Sequence, residues 1–369
     1  MGFKLPNGGD LSEEQLDIIN LPTKKDWVIK GAPGTGKTVM AIYRAGQASQ
    51  SSKDKPVLML VYNNPLMRFL STAVQGNYYR NVQVQTYHQW VNDIYSEYGL
   101  GKIPKDDGND HDWVAITSQL SKIGKKYAHV IIDEAQDFPI ELLKILKKLS
   151  DHMTCFIDPN QAIEVGKTDT YKAIKALCVE SPYKLTKNFR NTKPIRDLSA
   201  LYCKDGEPAP SNTPGKKPVI TKCASGDFDD QNRKMVNIIK RNKEKSIGII
   251  VNPKALNNTY NSLRKLLPTD VIVQMHKPMT QNRIDFDKSG VKILSYGTMK
   301  GLEFDIVLLP MFDKIEMQDG GTVDANRVYV AVSRPVNELY LFYWSERPSS
   351  GKINTMTALT THRGMLEWK

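Results

Sequence analysis

One short segment constrains both the local fold and the ligand class, because residues 31–38 read GAPGTGKT. This fits the phosphate-loop pattern G-x-x-x-x-G-K-[ST], in which glycines let the backbone wrap around phosphates. A β-prone run, WVIK, precedes the loop and a helix-like run follows it, which would place the phosphates at a helix N-terminus. A glycine-rich turn without a ligand is the alternative, and this context disfavours it. The predicted phosphate contacts are Gly34, Thr35, Gly36, Lys37 and Thr38, with Lys37 on the β- and γ-phosphates and the Thr38 hydroxyl on Mg²⁺.

Length and composition bound the remaining possibilities. The 369 residues are enough for two or three domains, and 40% apolar with 25% charged residues fits a soluble globular protein. The net charge of +11 favours a polyanionic partner, although simple solubility would also explain it. The longest apolar runs are too short to span a bilayer, and the first ten residues lack an apolar signal region. We therefore expect a cytoplasmic protein that does not use a membrane.

Short β-prone runs alternate with helix-like segments along most of the chain, from DWVIK near the start to ELYLFYW near the end. This alternation predicts α/β architecture with mostly parallel sheets flanked by helices. The runs are too many for one ordinary sheet, so we predict two domains, at residues 1–182 and 183–369. A small insertion at about 91–128 includes the most loop-like segment, YGLGKIPKDDGNDHDW.

A phosphate loop needs a second, acidic motif, and YAHVIIDEAQDF supplies it. The run 130–132 predicts a buried parallel strand, at whose carboxyl end ligands bind in open α/β sheets. Asp133 would hold Mg²⁺ directly or through water, and Glu134 would polarise the attacking water. The alternative is a pair of solvated acids at a strand end.

The order of these and other motifs resembles the UvrD/Rep-like superfamily 1 helicases along nearly the whole chain. DEAQDF resembles motif II, and LSEEQLDIIN resembles the adenine-reading glutamine motif. VLMLVYNNPLMRFL and TYHQW resemble motif Ia and the T-[FY]-H motif, and FIDPNQAI resembles motif III. LTKNFRNT, SYGTMKGLEFDIVLLP and NRVYVAVSRPVNELYLF resemble motifs IV, V and VI. The resemblance implies two RecA-like P-loop NTPase domains, 1A and 2A, with an ATP cleft between them.

The resemblance also implies roles in ATP binding and hydrolysis for residues outside the phosphate loop. Gln15 would read adenine, Gln161 would sense the γ-phosphate, and Phe189 would stack on adenine. Glu303 would meet the ribose or the phosphate network. Arg190 and Arg334 would supply positive charge to the γ-phosphate, which suits the planar guanidinium fork. Taken alone, each arginine could equally form a surface ion pair.

The strand-binding residues implied by the resemblance are Tyr62, Thr86, Tyr87, His88 and Thr298. Aromatic stacking on bases tolerates any sequence, which suits a translocating enzyme. For Tyr62 and Tyr87 a buried core aromatic is the open alternative. After QAI the family usually places an aromatic that stacks on a base, whereas Glu164 and Val165 stand here.

Two gaps between motifs are too short for the large 1B and 2B insertions of Rep-like enzymes. The leading interpretation is an ATP-dependent translocase or helicase on single-stranded DNA, with RNA not excluded. The alternative is an ATP-gated, nucleic-acid-sensing subunit that regulates a partner enzyme, for example a nuclease in defence or repair. A small-molecule kinase is a third class, but it has no use for DEAQDF or two distant arginines. Strand-dependent ATP turnover would separate the first two from the third, and unwinding by the isolated chain would separate the first from the second.

Overall fold

The protein is described from a computed structural model that divides into two compact units, Gly2–Thr186 and Lys187–Lys369, the latter grouped with Met1. The structure describes residues 5–52, 54–62, 64, 66–67, 70–71, 74, 79, 81–108, 110–158, 161, 169–203, 208–276, 284–285, 288–315, 325–346 and 355–369. We call the units the first and second unit.

The first unit is a parallel sheet with helices, built in the described residues from six strands. The strands are β1 (Trp27–Gly31), β2 (Val57–Val61), β3 (Val82–Thr86), β4 (Tyr127–Ile132), β5 (Ser150–Ile157) and β6 (Tyr183–Leu185). The α-helices that lie wholly within the described residues are α1 (Glu13–Asn20), α2 (Lys37–Ser51), α3 (Tyr87–Glu97), α4 (Trp113–Leu120), α5 (Ile140–Leu149) and α6 (Thr170–Leu177). The sheet order is β3-β2-β4-β5-β1-β6, and every pairing is parallel.

Both faces of this sheet are covered, as the continuous apolar character of its central strands requires. Along β4, Val130 and Ile132 enter one hydrophobic cluster while Ile131 enters the other, because successive side chains point to opposite faces. Helices α3 and α4, which lie in or beside the predicted insertion, contribute Trp90 and Ile116 to the first of these clusters. The insertion therefore adds to the core of the first unit.

The second unit is also a parallel α/β layer structure, with seven strands among the described residues. The strands are β7 (Val219–Lys222), β8 (Ser246–Val251), β9 (Val273–Met275), β10 (Gly290–Ser295), β11 (Phe304–Leu309), β12 (Pro335–Tyr343) and β13 (Glu367–Trp368). Its α-helices within the described residues are α7 (Lys193–Ala200), α8 (Phe228–Arg241), α9 (Leu256–Leu266), α10 (Ala325–Val332) and α11 (Thr355–Thr361). The order is β13-β7-β12-β11-β8-β10-β9, again with parallel pairings.

The predicted α/β class with mostly parallel, helix-flanked sheets is confirmed. The first sheet extends three residues past the predicted domain limit of 182, because Tyr183–Leu185 pairs with β1. The sequence marks YKLTKN as a β-prone run at this place, but the predicted limit assigned it to the second domain, because the pattern of a run does not show which sheet it joins. Among the described residues no helix combines the length and apolar character needed to cross a membrane.

Candidate nucleotide and nucleic-acid sites

The phosphate loop connects β1 to α2 and depends on glycine at two positions. Gly34 and Gly36 have φ angles of 77° and 88°, in the left-handed region that other residues rarely adopt. The Thr35 hydroxyl donates to the Ala32 carbonyl at 2.9 Å and closes the turn. Lys37 begins α2, and its ammonium donates to the carbonyls of Gly31 (2.8 Å) and Ala32 (3.0 Å). The sequence thus forms a tight loop that opens directly into a helix N-terminus.

Gln15, the predicted adenine-reading residue, lies against this loop. It belongs to a capping box at the start of α1, in which its backbone N–H donates to the Ser12 hydroxyl and its side chain accepts from Ser12 N–H. Its amide also donates to the Thr35 carbonyl at 3.2 Å. A Cβ added at Gly36 would stand 2.5 Å from the Gln15 amide nitrogen. Gln15 is therefore fixed by its own helix and held in contact with the loop.

Asp133 and Glu134 follow β4, and Asp133 meets the phosphate-loop helix. The Thr38 hydroxyl donates to the Asp133 carboxylate at 2.7 Å, so the two predicted Mg²⁺ ligands are in direct contact. Asp133 is fully buried, and burial raises the pKa of its carboxyl to about 7, with the Glu134 carboxylate adding to the rise. Glu134 has a left-handed φ of 57°, which is uncommon for a residue with a Cβ and frequent at functional sites.

A network of buried amide and carboxyl side chains joins the phosphate loop to the DEAQDF and FIDPNQAI motifs. Gln136 donates to the Glu134 carboxylate at 2.6 Å, and its amide oxygen accepts from Asp158 N–H at 3.0 Å. The Asp158 carboxylate accepts from the Gln161 amide at 2.7 Å and lies 3.6 Å from the Lys37 ammonium. The structure thus brings Gln161 into one network with Lys37 and Glu134.

Asp158 and Gln136 were not among the predicted site residues. Both lie in the quoted motifs, DEAQDF and FIDPNQAI, so motif membership was the available signal. Their partners are set by how β4 and β5 lie side by side, which is visible only in the fold. Glu164 and Val165, the positions of the expected missing aromatic, lie outside the described residues.

The donor set at this site fits Mg²⁺ and a triphosphate. A hydroxyl and a carboxylate are hard oxygen ligands, and Mg²⁺ is usually held by one or two carboxylates together with substrate phosphates. In the part of the chain that the structure describes, no group of three or more His, Cys, Asp or Glu side chains could hold a metal. Mg²⁺ held by Thr38 and Asp133 would take its other ligands from substrate phosphates and water, as it commonly does in nucleotide sites.

Three of the predicted nucleic-acid-binding residues of the first unit, Thr86, Tyr87 and His88, lie where β3 ends and α3 begins, and the fourth, Tyr62, directly follows the neighbouring strand β2. Thr86 is the N-cap of α3, and its hydroxyl accepts from Gln89 N–H at 3.3 Å. The tyrosines Tyr62 and Tyr87 pack partly buried against the core cluster, which agrees with the core alternative. His88 is exposed, and its ring nitrogen lies 3.2 Å from that of His111. That these residues bind single-stranded nucleic acid stays a prediction.

Arg190 and Glu303 form an ion pair in the second unit, joining the segments that resemble motifs IV and V. The Arg190 side chain is 13% exposed and Glu303 is 49% exposed. The Arg190 Nε is buried without a hydrogen-bond partner among the described residues. Phe189 is about half-exposed, as a stacking residue would need to be.

Arg334 is buried beside β12, with its Nε donating to the Val330 carbonyl at 2.9 Å and an Nη donating to the Ser333 hydroxyl at 3.2 Å. Asn191 ties this segment to Arg190, because its amide donates to the carbonyls of Ser333 (3.0 Å) and Pro335 (2.7 Å). Sequence reasoning did not single out Asn191. Thr298, the predicted strand contact of this unit, uses its hydroxyl to close the turn after β10 with Ser295.

Comparison with known proteins supports a helicase fold. A family model described as "Schlafen group 3, DNA/RNA helicase domain" matches residues 24–202, just under half of the chain. A search of curated proteins found no relative.

Among solved structures, S. cerevisiae Dbp5 bound to RNA and ADP BeF3 is similar, with 14% identity over 97% of this chain and 89% of that chain, at a TM-score of 0.61. A point variant of S. cerevisiae Dbp5, also bound to RNA and ADP BeF3, is 14% identical over 98% of this chain and 95% of that chain, at a TM-score of 0.58. The arterivirus nonstructural protein 10 helicase, at a TM-score of 0.42, is not similar enough to indicate the fold. At 14% identity the likeness to Dbp5 shows the fold alone. The chain has two RecA-like α/β domains and a general helicase fold. Its assignment to the UvrD/Rep-like group stays a prediction.

Proposed function

We propose that this protein is an Mg²⁺-dependent ATP hydrolase that couples turnover to movement along single-stranded DNA, with RNA as the other strand to test. The observation that carries the proposal is the contact of the Thr38 hydroxyl with the Asp133 carboxylate at 2.7 Å, beside a glycine-dependent phosphate loop. The family model that matches the first half of the chain, a DNA/RNA helicase domain, supports a nucleic-acid-linked role.

Each side chain of the site has a chemical task under this proposal. The Lys37 ammonium would exchange its two carbonyl partners for phosphate oxygens, which carry more negative charge. Thr38 and Asp133 would hold Mg²⁺, which when bound neutralises charge on the β- and γ-phosphates. Glu134 would orient the attacking water, and Gln136 would keep its carboxylate in place through their 2.6 Å hydrogen bond.

The network also suggests how the γ-phosphate would be sensed. Asp158 contacts both Lys37 and Gln161, so a shift of the Lys37 ammonium towards phosphate changes the charge that faces Asp158. Gln161 would respond because its amide is bonded to the same carboxylate. In the second unit, Arg190 and Arg334 would stabilise the leaving γ-phosphate, and Glu303 and Phe189 would meet the ribose and the adenine. Gln15 would read the adenine from the first unit.

Two variants at the site test the proposal. Lys37→Ala should lose both ATP binding and turnover, because Lys37 contacts phosphate in the ground state. Glu134→Gln should lose turnover and retain ATP binding, because Glu134 acts on water. Glu180→Gln, at an exposed position of the same unit, is the matched control. Near-normal turnover in Glu134→Gln would overturn the assigned role of that carboxylate.

A second candidate function is an ATP-gated sensor that regulates a partner enzyme such as a nuclease. The observation that favours it is the small size of the 91–128 segment, which packs α4 into the core and adds no separate domain. Strand displacement on a tailed duplex by the purified chain distinguishes the two. Efficient unwinding of a long duplex by the monomer would rule against dependence on a partner.

A further inference from the structure

We propose that a pocket at the carboxyl edge of the second sheet binds one nucleotide of the single strand through its base. This rests on the proposed function, because it assigns a contact of the same strand. The pocket has a volume of about 590 Å³ and is lined by the start of α8, the start of α9 and the residues that follow β8 and β11. A pocket of this size is ample for one base with its sugar.

The topology places the pocket where ligands bind in open parallel sheets. Strands β8 and β11 are neighbours and parallel. After β8 the chain leads through α9 to β9, which lies on one side of the β8–β11 pair in the sheet. After β11 it leads to β12, which lies on the other side of that pair. Connections that leave neighbouring strands in opposite directions define a switch point, outside whose carboxyl ends ligands bind. Asn252 follows β8, and Pro310 and Met311 follow β11.

Asn232 supplies a polar group to the wall of the pocket. The residue is only 6% exposed, and its amide makes no hydrogen bond with another described residue and faces the open space of the pocket. The adjacent Gln231 is also buried and accepts from Met311 N–H at 2.9 Å, so it belongs to the wall. An amide that faces a pocket presents a donor and an acceptor side by side to a ligand. A nucleobase edge offers the matching pair.

The other lining groups fit the rest of a nucleotide. Phe228 is 52% exposed, and its ring meets Trp344 edge-to-face, with centroids 4.9 Å apart. An exposed ring at the pocket is a stacking surface for a base. Lys254 is exposed at the pocket and has no ion pair among the described residues, which suits a backbone phosphate. Of the described lining residues none carries a carboxylate, so an anionic ligand meets no like charge.

The position of the pocket favours single-stranded nucleic acid as its ligand over the ATP that is hydrolysed. Glu303 immediately precedes β11 and Pro310 immediately follows it, so the predicted ATP-contacting residue and the pocket lie about 20 Å apart along the strand. Thr298, the predicted strand contact, follows β10 on the same edge as the pocket. Ser295 at the end of β10 is in register with Val251, which precedes Asn252. A free mononucleotide would present the same chemistry, so the experiment must separate the two.

The test measures binding of a fluorescent 12-nucleotide single-stranded DNA, and of the same oligonucleotide with abasic sites. Phe228→Ala and Asn232→Ala should each weaken binding of the intact strand by at least about fivefold. The abasic strand should bind the wild type more weakly, and the two substitutions should then make little further difference. Asn257→Ala, exposed on α9 and outside the pocket, is the control and should bind as the wild type does. Phe228→Leu, which keeps an apolar side chain against Trp344, separates loss of stacking from loss of folding.

The outcomes separate this proposal from the function on which it rests. A wild-type chain that binds no single strand contradicts both. A wild type that binds the strand, with Asn232→Ala and Phe228→Ala within twofold of it, overturns the pocket and leaves the proposed function standing. Saturable binding of nucleoside monophosphates that is lost in Asn232→Ala, with strand binding unchanged, would show that the ligand is a free nucleotide and would also overturn the proposal.

Discussion

Asn191 should be essential for holding the two arginine-bearing segments of the second unit together. Its side chain is buried and makes three hydrogen bonds: it accepts from the Asn188 amide at 3.0 Å and donates to the carbonyls of Ser333 and Pro335. At about 1 kcal/mol for each bond, Asn191→Ala should lower the free energy of unfolding by about 3 kcal/mol. Asn191→Asp keeps the acceptor but turns a carboxylate towards two carbonyls, so it should destabilise at least as much.

The assay combines urea unfolding with hydrogen–deuterium exchange of the 333–335 segment. Asn191→Ala and Asn191→Asp should shift the urea midpoint and accelerate exchange in this segment, where the Arg334 N–H donates to the Ala331 carbonyl. Asn257→Ala, at an exposed site, should stay within about 0.5 kcal/mol of the wild type. A loss below about 1 kcal/mol in both Asn191 variants, with unchanged exchange, would refute this account of the bridge.

Three further predictions concern the phosphate loop, a buried histidine and an arginine. Gly36→Ala should weaken ATP binding, because its φ is 88° and the new Cβ would stand 2.5 Å from the Gln15 amide; wild-type affinity in a titration would contradict this. Burial lowers the pKa of His129 to about 3 in the folded protein, compared with about 6.5 in the unfolded chain. Between about pH 6.5 and pH 3, therefore, His129 takes up a proton only when the chain is unfolded. His129 should therefore make stability fall by up to about 1.4 kcal/mol per pH unit below pH 6.5, and His129→Gln should flatten that slope in urea titrations at pH 7, 6 and 5. Arg190→Ala should cut ATP turnover about 10³-fold with a smaller change in ATP affinity, and a change under threefold would assign Arg190 to a structural ion pair.

The parallel α/β architecture could be predicted because its signals are local. The central strands are short apolar runs bounded by turn residues, and β2 (VLMLV) and β10 (GVKILS) are buried along their whole length. The phosphate loop and the Asp133–Glu134 pair were also readable, because glycine, lysine and acid stand at fixed spacings within single segments.

The contacts that complete the sites could not be read in this way. Asp158 matters through Lys37, which is 121 positions away in the chain, and Asn191 matters through Ser333 and Pro335. Asn232 looks like any polar residue of an amphipathic helix until α8 is placed beside α9 and the end of β11. Such roles depend on which elements the fold brings together, and no periodicity in the sequence records that.

If the proposed function is right, this chain turns over ATP in response to single-stranded nucleic acid. The direct measurement is steady-state ATP turnover with no nucleic acid, single-stranded DNA, single-stranded RNA and duplex DNA side by side, with Lys37→Ala in every arm. We expect turnover that rises with single-stranded DNA more than with duplex DNA, and no turnover above background in Lys37→Ala. Turnover that is the same in all four arms, or that survives in Lys37→Ala, would contradict it.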